Sequence, residues 1–139
     1  TPSIHRLAAD LGVSARVHHL GSVDQDRLQR LLRGASALAH PALDEGFGLP
    51  PLEAMASGTP VLAARAGALP EVVGDAATLL DPHDVDAWAG AISTLRDDED
   101  LRAAMAADGL RHAAGRTWAH TATATAALHE RVLRAHGRL

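Results

Sequence analysis

Glu45 and Glu53 are two carboxylates with seven residues between them, set across a Gly-rich turn closed by prolines. The run reads Glu45-Gly46-Phe47-Gly48-Leu49-Pro50-Pro51-Leu52-Glu53-Ala54-Met55-Ala56-Ser57-Gly58-Thr59-Pro60-Val61. An ionised carboxylate only accepts hydrogen bonds, and its two oxygens can grip two neighbouring hydroxyls. One acid per diol is therefore a natural arrangement for holding a polyhydroxylated ligand. Taken singly, each acid has a plainer reading. Glu53 near a helix N-terminus is a favourable dipole partner, and Glu45 alone is a solvated loop residue. The full string in this order is what favours a ligand.

The residues between and around the acids explain how they would be held. Ala37 to Ala42 is short, mostly apolar and preceded by Gly34, which fits a strand buried on both faces of a parallel sheet. Gly46 and Gly48 can take backbone angles closed to other residues and admit a ligand close to the main chain. Pro50 or Pro51 suits the first turn of a helix, where a missing N–H costs nothing. Gly58 reads as the helix stop, with Pro60 blocking continuation. The free N–H groups of that two-turn helix would face the Gly loop, so its positive end suits a phosphate. Two carboxylates beside an anion repel it, so cations are needed nearby. All thirteen Lys+Arg residues are Arg.

The rest of the chain alternates helix and strand. Ile4, Leu7, Ala8 and Leu11 form a helical stripe ending at Gly12, and Val17 to Leu20 is a strand candidate ending at Gly21. Asp24 is the N-cap of a helix carrying Leu28, Leu31, Leu32 and Ala35. After the strand at 37–42 and the helix around 51–57 come a strand at 60–64 and a Gly-bounded turn with a short helix at 67–74. A last strand at 77–80 is closed by Asp81-Pro82. Three helices follow: one carrying Val85, Trp88, Ile92 and Leu95, one from about Asp98 to Ala114, and one starting near Thr117. This order predicts an α/β fold, a Rossmann-like parallel sheet with helices on both faces that ends in a run of helices. Ligands of such sheets bind outside the carboxyl ends of strands, and the Glu45–Gly48 loop is at such an end.

Composition narrows the function classes. At 139 residues the chain is one domain by length, and 47% hydrophobic with 22% charged residues is globular rather than disordered. A net charge of −4 without basic runs argues against nucleic acid or an anionic membrane as the main partner. Phe47, Trp88 and Trp118 are the only aromatics besides His, too few for a base-stacking platform. With no Cys there is neither a disulfide framework nor a thiolate metal site. Nine His residues lack any metal-ligand spacing, so no metal site is expected. His40, ending its strand just before Pro41, can approach a bound phosphate or simply pack. No apolar run is long enough for a membrane span. The chain opens on Thr1-Pro2, which reads as a piece of something longer.

The string from Glu45 to Val61 resembles the Glu-x7-Glu segment of retaining GT-B glycosyltransferases of the glycosyltransferase family 4 type, group 1, in which it holds a nucleotide sugar. The resemblance covers most of the chain and implies roles. Glu45 would grip hexose hydroxyls as the catalytic-site acid, and Glu53 the ribose diol. Gly46, Phe47, Gly48 and Leu49 would present amides to donor sugar and phosphate, and Gly21, Ser22 and Val23 would seat the base. Gly67-Ala68-Leu69-Pro70-Glu71 resembles the family's Gly-Gly-x-Pro-Glu turn with Ala68 for the second Gly, and Ala42 stands where many members carry Ser. The last helix looks like the one that crosses back toward the N-terminal domain.

Members also carry an upstream acceptor half, two opening strands of the C-terminal domain and an Arg-x4-Lys phosphate clamp, none of which is in this sequence. Residues 1–139 therefore read as a single partial domain, the donor-binding C-terminal domain lacking its first strands. Alone it is expected to be inactive. The expected parent is a retaining hexosyltransferase that moves sugar from a nucleotide-diphosphate donor to an acceptor hydroxyl without metal or other cofactor. Its expected partners are the nucleotide sugar and the missing N-terminal half. Its expected location is the cytoplasm, with any contact to the inner membrane surface made through that half. The alternatives are a non-catalytic GT-B-like interaction domain and a nucleotide-sugar epimerase of GT-B architecture.

Overall fold

The structure, a computed structural model, describes residues 2–137, with side-chain surroundings from Ile4 onward. Three short strands form its sheet: β1 (Leu38–His40), β2 (Val61–Ala64) and β3 (Thr78–Leu80). Their order is β1-β2-β3 and both pairings are parallel, Leu38 opposite Val61 and Leu62 opposite Thr78. Every residue of β2 is buried, as expected of a central strand covered on both faces. Parallel neighbours require crossovers, and helices supply them.

The helices are α1 (Pro2–Asp10), α2 (Gln25–Gly34), α3 (Leu49–Ala56), α4 (Leu69–Val73), α5 (Val85–Asp97), α6 (Glu99–Ala114) and α7 (Trp118–Ala135). Their starts are chemically marked. The carboxylates of Asp24, Asp84 and Asp98 accept from the third backbone N–H beyond them, and the Thr117 hydroxyl does the same for α7. The core is Leu32 of α2, Ala54 and Met55 of α3, all of β2, Leu69 and Val73 of α4, and Trp88 and Leu95 of α5. Thr59 is fully buried, yet its hydroxyl donates to the Leu32 carbonyl at 2.6 Å, so no polar group is stranded.

Close approach of α6 to α3 depends on Gly109. A Cβ there would come within 3.2 Å of the Met55 side chain and 3.4 Å of its Cα. His112 of α6 also bonds to the Val72 carbonyl at 2.7 Å, tying α6 to α4. These contacts hold the floor on which α3 stands.

Two sequence expectations differ from what is observed. Val17 to Leu20 is not a strand: a one-turn 3-10 helix (Ser14–Arg16) leads into an extended segment with Val17 and Leu20 exposed. A strand needs a hydrogen-bonded neighbour, and the sheet of the described residues ends at β1 and β3. The apolar stripe of α1 is likewise largely bare. Ala8 is buried, but Ile4, Leu7 and Leu11 are exposed.

Candidate functional site

β1 ends at His40, and the chain leaves the carboxyl edge of the sheet through residues 41–48 before entering α3. Gly48 is the residue before the helix and sits at φ +90°, the left-handed region. It is buried, and a Cβ there would stand 3.2 Å from Cγ1 of Val72. Gly46 differs. Its φ is ordinary and nothing lies within 4 Å of where a Cβ would be, so the fold itself does not require glycine there. The expectation that both glycines take special angles therefore holds only for Gly48.

Glu45 folds back over this loop. Its Oε1 accepts the backbone N–H of Gly48 at 3.1 Å and of Phe47 at 3.3 Å. Its Oε2 meets Nε2 of His40 at 3.2 Å. An ionised carboxylate cannot donate, so His40 donates from Nε2. Bonds from the Phe47 and Gly48 amides, then from His40, hold the Glu45 carboxyl below its ordinary value of 4.5. The backbone of Glu45 is fixed too. Its carbonyl accepts from Ala68 N at 3.0 Å, and Gly67, at φ +52°, lies so close that a Cβ would be 2.7 Å from that carbonyl oxygen. The Gly67-Ala68 turn is thus the wall against which the acidic loop rests.

The expected ring of helix N–H groups is thinner than the sequence suggests. Pro50 and Pro51 occupy the second and third helical positions and carry no N–H. Leu52 N already bonds to Gly48 O at 3.4 Å. The N–H groups at this end of the sheet are therefore chiefly those of the loop, and two of them donate to Glu45.

Glu53 projects elsewhere. It is half-buried and lines a cleft of about 480 Å³ with Phe47, Leu49, Glu71 and Val72 on one side and Arg116, Trp118, His120 and Thr121 on the other. Phe47, 55% exposed, stands at the lip between this cleft and the loop. Glu45 does not line the cleft; nor do Gly21, Ser22 and Val23, which lie in the loop before α2, with Gly21 at φ +62°. The structure thus joins Phe47, Leu49 and Glu53 at one cleft and keeps Glu45 beside it, turned toward the sheet.

Arg116 is a cation on the wall of this cleft. Its distance in sequence from both acids hid it, because the α6–α7 junction reaches α3 through tertiary packing, as at Gly109. The His40–Glu45 pair was also missed, although five-residue spacing across a strand end and a turn was the available signal. Among the described residues, no group of three or more His, Cys, Asp or Glu side chains is placed to hold a metal ion.

The comparisons with known proteins meet this geometry. The family model for glycosyl transferases group 1 matches residues 2–112. The chain is 42% identical over 132 residues to D-inositol 3-phosphate glycosyltransferase of Corynebacterium efficiens, covering 93% of this chain and 31% of that protein. It is 40% identical over 132 residues to MMP alpha-(1->4)-mannosyltransferase of Mycolicibacterium hassiacum, covering 92% and 32%. Among solved structures, sucrose-phosphate synthase from Thermosynechococcus elongatus matches with a TM-score of 0.86 at 27% identity, over 95% of this chain and 34% of that one. Anabaena HepE in complex with UDP matches with a TM-score of 0.74 at 30% identity, over 83% and 32%. The chain spans about a third of the length of the curated relatives it matches. With a family model running from α1 into α6 and the paired-acid loop at the carboxyl edge of a parallel sheet, the chain belongs to the glycosyl transferases group 1.

Proposed function

We propose that residues 1–139 are part of the donor-binding domain of a retaining glycosyltransferase, which moves a sugar from a nucleotide diphosphate to an acceptor hydroxyl. Glu53 takes the ribose diol from within the cleft. Gly46, Phe47, Gly48 and Leu49 present backbone to the sugar and phosphates, and Arg116 offsets their charge. Gly21, Ser22 and Val23 seat the base, and Glu45 holds hydroxyls of the transferred sugar. The acceptor comes from a further domain. The reading places the reaction in the cytoplasm, with any contact to the inner membrane surface made through that further domain.

One observation carries this reading. Two carboxylates stand on one continuous segment, Glu45 in the loop and Glu53 in the second turn of α3, at the sheet edge where ligands of parallel sheets bind. HepE, a related structure, is described as a complex with UDP, which supports a nucleotide diphosphate as the ligand class.

The test is calorimetry and turnover on the full-length protein with UDP, GDP and their hexose esters. Glu53→Gln is expected to weaken binding of the bare nucleotide by about 1.5–3 kcal/mol, the worth of hydrogen bonds to a charged group. Glu45→Gln is expected to reduce turnover of the sugar ester more than binding of the nucleotide. Wild-type behaviour of both variants in both assays refutes the assignment.

A further inference from the structure

We propose that His40 is the positioning residue for Glu45, fixing the acid's carboxylate relative to the sheet while the loop amides let go of it. The proposal rests on the donor-site reading above and assigns a role to a residue outside the motif.

The argument starts from where Glu45's partners stand. Phe47 N and Gly48 N belong to the same loop as Glu45 and move with it. His40 does not: it is the last residue of β1, paired in register with Ala63 of the fully buried strand β2. A group is held more closely by a partner on a strand than by one on its own loop. The His40 and Glu45 side chains are only 20% and 24% exposed, so their bond competes weakly with water.

The two carboxylate oxygens divide the partners by where they stand. Oε1 is shared between the two loop amides at 3.1 and 3.3 Å, and Oε2 meets His40 of the strand at 3.2 Å. Those same amides are the ones a donor phosphate or sugar oxygen would need. When the donor takes them, Oε1 is released and turns to a sugar hydroxyl, which donates to it. Oε2 stays on His40. The carboxylate thus pivots about an anchored oxygen instead of swinging free, and the sugar meets an acid already in place. Among the described residues, His40 is the partner of the Glu45 carboxylate that stands outside the acid's own loop, so without it the carboxylate loses that anchor once the amides are engaged.

The test compares His40→Leu, His40→Gln and wild type in the full-length protein. Gln places an amide N–H near the position of Nε2, whereas Leu keeps bulk and removes the donor. The readouts are Kd for UDP and GDP and kcat and KM for their hexose esters. His40→Leu is expected to leave nucleotide affinity nearly unchanged and to lower kcat by roughly 10²-fold, the cost of about an ångström of misplacement. His40→Gln is expected to recover most of that loss. Three outcomes overturn the proposal. The first is a kcat of His40→Leu equal to that of wild type. The second is a His40→Gln variant that folds yet fails as fully as His40→Leu, which makes the role steric. The third is a wild type that binds none of the nucleotides, in which case the donor-site reading falls and takes this one with it.

Discussion

The Glu45 carboxylate accepts from the Phe47 and Gly48 amides and from His40, and this has a measurable pH signature. Its carboxyl is lowered from 4.5 by the Phe47 and Gly48 amides and by His40. A folded-state value below the unfolded one means the brace is fully present above 4.5. It is lost as pH falls below 4.5 through the lowered folded value. Hydrogen-exchange protection of the Phe47 and Gly48 amides is expected to fall across that acid window in wild type. Glu45→Gln should show no such step. Equal protection at neutral and acid pH in wild type would remove the brace. At this scale the sequence was half legible. The full string from Glu45 to Val61 brought out both acids, since the loop and helix between them are local. It did not reveal that Glu45 turns to His40, because a side-chain direction depends on where Gly67 and Ala68 press the loop.

The glycines of the acidic loop divide by element. Gly48 serves the start of α3, and Gly46 serves nothing within the fold. Gly48→Ala is expected to cost about 1–2 kcal/mol for a left-handed residue with a Cβ, with a further cost from the 3.2 Å approach to Val72. Gly46→Ala is expected to unfold at the denaturant midpoint of wild type, yet to weaken donor binding by crowding the ligand. Chemical denaturation paired with nucleotide-sugar calorimetry separates the two. Were Gly46→Ala to bind donor normally, that position would leave the site. Helices were the most readable elements, because Asp24, Asp98 and Thr117 name their own starts and Gly58 and Pro60 end α3. The segment 17–20 misled. Val17 to Leu20, ending at Gly21, reads as a short strand, but strand formation is decided by a pairing neighbour, and no strand pairs with it among the described residues.

For the molecule as a whole, surface area is the informative quantity. A compact monomer of this mass exposes roughly 6,900 Å² by the usual scaling. This chain exposes 9510 Å², more than a third above that. The excess has an address. All of α7 is exposed, with Trp118 at 75% and Leu128 and Val132 near half, and the apolar stripe of α1 is open as well. Apolar helix faces of this extent ordinarily lie against something. The hydrophobic pattern of these helices was legible in the sequence, and the stripe predicted burial that the described residues do not provide. Residues 1–139 produced alone are therefore expected to self-associate through these faces. Sedimentation velocity should show species larger than 14.5 kDa that grow with concentration. Replacing Trp118, Leu128 and Val132 together by polar residues should shift the population toward monomer, because it removes apolar area without touching the β2 core. In the same experiment the isolated chain is expected to hold UDP or GDP no better than about millimolar, since Arg116 stands on a junction leading into an unsupported helix. A wild-type chain that sediments as a monomer, unfolds cooperatively and binds either nucleotide at micromolar concentration would show that α7 is stable uncovered and that these residues complete the site by themselves.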